Sequence, residues 1–139
     1  MRNVYEVFDH TADLGLRITA PSVEQLFAEA GQGLFSVIVA NLDAVEAAER
    51  AEIRIEGERN AYLLFDWLNE LLYIFDSSGM VLSEFEITMC EDGLEAVAYG
   101  EPLDAERHGL EHEVKAITYH KLDLEQTENG WQAQVIVDI

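Results

Sequence analysis

The chain has 139 residues, with 28 acidic against 8 basic side chains and a formal net charge of −20. That length is one domain's worth, and about half of it is apolar, enough for a single sizeable core. A field of that sign repels polyphosphate backbones, so unaided nucleic-acid binding is disfavoured, and a basic protein partner or a bound cation is favoured. A well-solubilised or salt-adapted surface is the plainer reading of the same charge.

Residues 5–10 and 14–19 read as two short strands. In the second, Leu14, Leu16 and Ile18 alternate with Gly15, Arg17 and Thr19, the two-residue period of a half-buried strand. Thr11-Ala12-Asp13 is a tight polar connection between them. Ser22 and Gln25 follow Pro21 at capping-box spacing, a helix start in which each side chain satisfies an otherwise unpaired backbone N–H. Val23, Leu26, Phe27, Ala30, Leu34, Val37 and Ile38 then recur at helical spacing and mark a buried face. Gly31 and Gly33 each cost about 1 kcal/mol relative to alanine inside a helix, a cost that close packing against a neighbour would explain.

Residues 51–56 alternate as a strand. Asn60 is placed to cap a second helix with Leu64, Trp67, Leu68, Leu71, Leu72 and Phe75 on one face, a stripe that reads as core rather than a cofactor box. Ser77-Ser78-Gly79 ends it, since glycine readily takes the left-handed cap conformation. The apolar-rich stretch 61–75 carries Asp66, Asn69 and Glu70 and is too short to span a bilayer, and no apolar leader follows Met1. A soluble protein without membrane contact is expected.

Val81, Phe85, Ile87 and Met89 alternate with polar residues. Cys90, the only cysteine, reads as a small core residue of this strand; it excludes an internal disulfide and suits a cytoplasmic setting. Glu91-Asp92-Gly93 is a turn, and 94–100 the returning strand. After an irregular segment, 103–113, come strands 115–125 and 131–137, joined through Asn129-Gly130, a strong type I′ hairpin signal. The order β-β-α-β-α-β-β-β-β predicts an α+β fold, with two helices packed on a largely antiparallel β-sheet, in one domain spanning 1–139.

The basic residues are unevenly placed. None lies between Asn60 and Glu106, whereas His108, His112 and His120 share a short stretch with Arg107, Lys115 and Lys121. That stretch is a candidate functional surface, or simply a loop and strand that carry the charge balance. His10-Thr11-Ala12-Asp13 could present an imidazole and a carboxylate on one side of a turn, although turn-capping is the commoner use of such an aspartate. At the other end, Trp131, Ala133, Val135, Val137 and Ile139 share one strand face, which is expected to order the terminal carboxylate beside Asp138. Two carboxylates so close repel unless a cation lies between them, a physical motive for a metal site. No cysteine pair or quartet, Gly-rich phosphate loop or Gly-x-Ser-x-Gly elbow offers a competing chemistry.

Three segments in order resemble the archease family: His10-Thr11-Ala12-Asp13-Leu14-Gly15-Leu16, then Glu113-Val114-Lys115-Ala116-Ile117-Thr118-Tyr119-His120, then the closing Asp138-Ile139. With Ala98-Tyr99-Gly100-Glu101 and the two helices between, the resemblance covers essentially the whole chain. It implies a protein that is not itself an enzyme but activates an RtcB-type RNA ligase. Such ligases join a 2′,3′-cyclic or 3′-phosphate RNA end to a 5′-hydroxyl end in tRNA splicing and RNA repair, through a histidine–GMP intermediate. The accessory protein promotes that GTP-dependent guanylylation and multiple turnover, and meets RNA only through the ligase.

The resemblance also implies a divalent cation, calcium foremost, with Mg²⁺ or Mn²⁺ in its place, held by Asp13, Asp138 and Ile139. It links Lys115 to function; His120, in the same motif, is added as a neighbour acting on the partner. His10 is read as orienting a ligand rather than being one, and no catalytic residue is assigned. Oxygen-only ligands suit a hard cation, and three residues fill only part of the roughly six to eight positions Ca²⁺ prefers, so an open site is expected. A chaperone or modulator of another RNA-modifying enzyme, such as a tRNA methyltransferase, is the alternative. A metal-dependent hydrolase would need turnover without a partner.

Overall fold

The computed structural model describes residues 4–10 and 13–139. β1 (Val4–His10) and β2 (Asp13–Ala20) pair antiparallel, from Val4 opposite Thr19 to His10 opposite Asp13. The Thr11-Ala12 link between them lies outside the described residues.

Helix α1 (Val23–Ile38) starts at Ser22, whose Oγ accepts from the Gln25 N–H at 3.2 Å. The Gln25 side chain accepts from the Ser22 hydroxyl at 3.0 Å, so the cap is a reciprocal pair of a different kind from the expected box. A 3₁₀ turn (Leu42–Ala44) leads to β3 (Glu49–Glu56). Helix α2 (Ala61–Ser78) is capped by Asn60 Oδ1, which accepts from the N–H groups of Tyr62 and Leu63; it ends at Gly79 with φ 74°, as its sequence predicts. β4 (Met80–Cys90) and β5 (Gly93–Pro102) follow, then a single helical turn α3 (Ala105–His108), β6 (Ala116–Ile117), β7 (Asp123–Thr127) and β8 (Gly130–Asp138).

The pairing is antiparallel throughout but divides into two sheets. One runs β1-β2-β8-β6, with β7 also on β8; the other runs β3-β5-β4. Both helices touch strands of both sheets, which makes them the layer that joins the two. Trp67 is fully buried at this junction, and its Nε1–H donates to the carbonyl of Phe27 at 2.9 Å, tying α2 to α1. Gly31 is where α1 meets Phe85 of β4: a β-carbon there would stand 2.9 Å from the Phe85 ring. The helix gives up propensity at Gly31 to let the ring approach.

Four readings need correction. The β7–β8 hairpin turns on Glu128 and Asn129, with Thr127 opposite Gly130, and neither loop residue takes positive φ, so it is not the expected type I′ Asn-Gly turn. The expected strand 115–125 is broken into β6 and β7, because the Thr118 hydroxyl donates to the Ile136 carbonyl at 2.9 Å and the chain leaves the sheet there. It returns through Lys121, which takes φ 53°. The segment expected to be irregular contains α3, started by Asp104, whose carboxylate accepts from the N–H groups of Glu106 and Arg107. Cys90 is half-buried rather than core; it is one residue out of phase with Phe85, Ile87 and Met89, which pack on the core. No helix of the described residues is long and apolar enough to cross a membrane.

Trp67→Ala should lower the stability measured by urea unfolding by about 3–5 kcal/mol. Asn60→Ala, which removes only a helix cap, should cost about 1 kcal/mol. Equal losses for the two would contradict the role given to the Trp67 junction.

Candidate functional site

β2 and β8 are in register from Ala20 opposite Trp131 to Asp13 opposite Asp138. Leu14, Leu16 and Ile18 lie opposite Val137, Val135 and Ala133, and all six are buried. A slip of one residue would turn this whole set out of the core, so hydrophobic pairing fixes the register. The same register sets Asp13 against Asp138. Opposed residues of an antiparallel pair project to one face with β-carbons about 5 Å apart. The two side chains therefore project to the same face of the sheet.

The penultimate-strand motif reaches the same place. β6 pairs with the other side of β8, with Ala116 opposite Asp138 and Ile117 opposite Val137. The Lys115 N–H donates to the Asp138 carbonyl at 2.8 Å. Asp13, Asp138 and Ile139 are half-buried and Lys115 is exposed. Asp13, the Lys115 motif and the final dipeptide thus meet at one end of the five-stranded sheet. The His10 backbone lies opposite Asp13; its side chain is outside the described set. His120 sits further on, in the turn after β6, where its N–H donates to Thr118 Oγ1 at 3.3 Å.

The oxygen donors at this end are two carboxylates and Ile139, the donor chemistry of a hard cation such as Ca²⁺ or Mg²⁺. Among the described residues, no group of three or more His, Cys, Asp or Glu side chains is arranged to hold a metal ion. Gly15 of the first motif has a structural reason: the Phe8 ring lies over it and leaves no room for a β-carbon, and the Arg17 guanidinium sits 4.1 Å from that ring's centroid.

The basic stretch does not act as one surface. The Glu101 carboxylate, 8 % exposed, accepts from Arg107 Nη2 at 2.7 Å, Arg107 Nη1 at 2.9 Å and the Glu46 N–H at 2.7 Å. The Asp104 N–H donates to His108 Nδ1 at 3.0 Å, so the hydrogen-bond network assigns the ring proton to Nε2, which donates to Glu101 at 3.0 Å. The Arg107 guanidinium, followed by the Glu46 N–H, holds the Glu101 carboxyl down at about 2 and is itself raised by it. Arg107 also lowers the Asp104 carboxyl, through its backbone N–H and then its guanidinium. Arg107 and the fully buried His108 therefore brace β5 against α3 and the segment around Glu46. The expectation of a common functional surface fails for these two because their counter-charge is buried beside them.

Sequence reasoning also missed an aromatic cluster. The Tyr119 ring stacks on Phe65 with centroids 4.0 Å apart and planes 15° from parallel, while Tyr62 meets it edge-on at 5.9 Å. With Ala61 and Leu122, the two tyrosines line a shallow cavity of about 380 Å³. The signal was present in α2, where Tyr62 and Tyr73 fall outside the apolar stripe.

Two helices shared by two antiparallel sheets, with acidic strand ends brought together beside the lysine that precedes β6, define a small α+β protein class. The model of the archease protein family matches residues 5–139, and the chain belongs to that family. The archease of Pyrococcus abyssi is 44% identical, over 97% of this chain and 98% of its own length. That of Methanopyrus kandleri is 41% identical, over 97% and 99%. The solution structure of protein 1598 from Methanobacterium thermoautotrophicum has a TM-score of 0.81 at 34% identity, covering 97% of this chain and 98% of that one. A Thermotoga maritima archease crystal structure shares the fold, with a TM-score of 0.66 at 23% identity, over 100% of this chain and 98% of that one.

Glu101→Gln should lower the urea midpoint at neutral pH. The folded carboxyl lies at about 2, below its ordinary 4.5, so the wild-type advantage is complete above 4.5 and is lost as pH falls toward 2. Denaturation of both proteins across that window checks this; a pH-independent difference would contradict it.

Proposed function

We propose that this chain is an accessory protein of an RtcB-type RNA ligase, and not an enzyme in its own right. It promotes the GTP-dependent guanylylation of the ligase's histidine and sustains multiple turnover in tRNA splicing and RNA repair, in the cytoplasm. What carries the reading is the meeting of Asp13, Asp138, Ile139 and Lys115 at one sheet end. Membership of the archease family supports it. The Thermotoga maritima relative is described as a possible chaperone, which is in keeping with a role directed at another protein.

In this reading the carboxylates of Asp13 and Asp138, with Ile139 oxygen, hold one divalent cation, calcium foremost, with Mg²⁺ or Mn²⁺ able to replace it. Bound there, the ion supplies a hard positive centre for phosphate or carboxylate oxygens. The core register of β2 and β8 holds the two acids in position before any ion arrives. The N–H of Lys115 fixes the Asp138 carbonyl, and its ammonium adds a charge that a phosphate or a ligase carboxylate can meet. His120, in the following turn, acts on the same partner beside Lys115. His10 orients the Asp13 side of the site. The charge of −20 keeps the chain off RNA, so RNA is met only through the ligase.

Multiple-turnover ligation by a purified RtcB-type ligase, with GTP and divalent metal, should accelerate when this protein is added. Asp13→Ala and Lys115→Ala should each abolish the acceleration with no loss of fold by circular dichroism. Stimulation by both variants at the wild-type level would refute the assignment. Binding to a tRNA methyltransferase without any effect on ligation would replace the ligase with a different RNA-modifying enzyme.

A further inference from the structure

Helix α2 has a second face that the acid end does not use. Its buried side is Leu63, Leu64, Trp67, Leu68, Leu71 and Leu72. Opposite lies the stripe Tyr62, Asp66, Asn69, Tyr73 and Asp76, spaced at helical intervals and exposed throughout. Tyr62 and Tyr73 are each 64% exposed, and Tyr119, at 61%, extends the stripe beyond the start of the helix through its edge contact with Tyr62. A helix face that meets only water gains nothing from aromatic rings, since Lys, Glu, Gln and Ala form helix better.

The charges on this face point the same way. No Lys or Arg occurs in α2, or anywhere from Asn60 to Glu106. Among the described residues, neither Asp66 nor Asp76 forms an ion pair. Asp76 lies in the last turn of the helix, where the helix dipole disfavours a negative charge. Tyrosines alternating with unpaired aspartates over about 21 Å of helix make a surface complementary to cations with flat or compact heads.

We propose that this face of α2, with Tyr119, docks an arginine- and lysine-bearing segment of the protein partner. The rings of Tyr62, Tyr73 and Tyr119 receive the cationic groups face-on, and Asp66 and Asp76 pair with them. Tyrosine against arginine is the composition of interface hot spots, and charge complementarity supplies specificity and association rate. The inference rests on the reading of this chain as a protein-directed accessory, but it uses a surface different from the Asp13–Asp138 pair. Single-stranded RNA would stack on the same rings, but its phosphates would face Asp66 and Asp76. A second copy of the chain would bring the same acids against themselves, because a two-fold contact repeats one patch.

The test uses a synthetic 12-residue peptide of alternating Arg and Ala, its Glu counterpart, and oligouridine, each titrated into isotope-labelled protein and followed by NMR. The Arg peptide should shift the resonances of Tyr62, Tyr73 and Tyr119, with about tenfold weaker binding to the double variants Tyr62→Ala/Tyr73→Ala and Asp66→Lys/Asp76→Lys. Both variants should melt as the wild type does. In ligation assays, Tyr62→Ala/Tyr73→Ala should raise the concentration needed for half-maximal stimulation about tenfold and leave the plateau unchanged. Peptide shifts spread over other acidic surfaces, equal binding by the variants, or stronger shifts of these tyrosines by oligouridine would overturn the proposal. Normal ligation with an unchanged half-maximal concentration in the tyrosine variant would also overturn it, and leave the ligase reading intact. Peptide mapping to α2 without any ligation effect of the wild-type protein would uphold the surface and remove the ligase.

Discussion

Leu14, Leu16 and Ile18 of β2 face Val137, Val135 and Ala133 of β8, and these buried pairs fix every other relation at the acid end. Hydrophobic burial, worth about 1.5–3 kcal/mol for each large side chain, sets this register, and the two half-buried acids at its end follow from it. The core therefore holds Asp13 and Asp138 opposite each other whether or not that pairing is favourable in itself.

The elements that could be read from residue order were those governed by local rules. The two helices follow from periodic apolar faces, and their ends from Ser22, Asn60 and Gly79, whose side-chain or backbone chemistry acts within four residues. The break between β6 and β7 shows in the sequence only as a change of phase, from Ile117 and Tyr119 to Leu122 and Leu124. The hydroxyl bond to Ile136 and the left-handed Lys121 that produce it carry no signal of their own. The split into two sheets was hidden for another reason: β5 sits between β3 and β4, and β8 returns to β2 from the far end of the chain. Such pairings are set by global packing, which periodicity does not record.

The candidate site divides in the same way. Spacing alone offered only a weak His-x-x-Asp turn and an apolar strand ending beside an aspartate; the family resemblance joined them, and the strand register brings Asp13 and Asp138 together. Arg107 and His108 stood out as charge in a basic stretch, while Glu101, buried between them, looked like one more acid among 28. Composition counts charges and does not tell which are already paired. The tyrosines of α2 were overlooked because attention to the buried stripe leaves the opposite face unread.

The strong acidity of the chain suits an accessory that works through a protein surface. Several of its few cations pair with its own acids: Arg54 with Asp92 and Glu95, Arg50 with Glu52, and Arg107 with Glu101 and Asp104. Exposed acid and tyrosine share the outer face of α2, and Lys115 lies beside two aspartates at the sheet end. The most direct test is calcium titration of the wild type and of Asp13→Asn and Asp138→Asn, followed by calorimetry or by NMR of the strand ends. One weak site in the wild type, lost in both variants while the β2–β8 register persists, is the expected result. Equal binding by all three proteins, or none in the wild type at millimolar calcium, would contradict it.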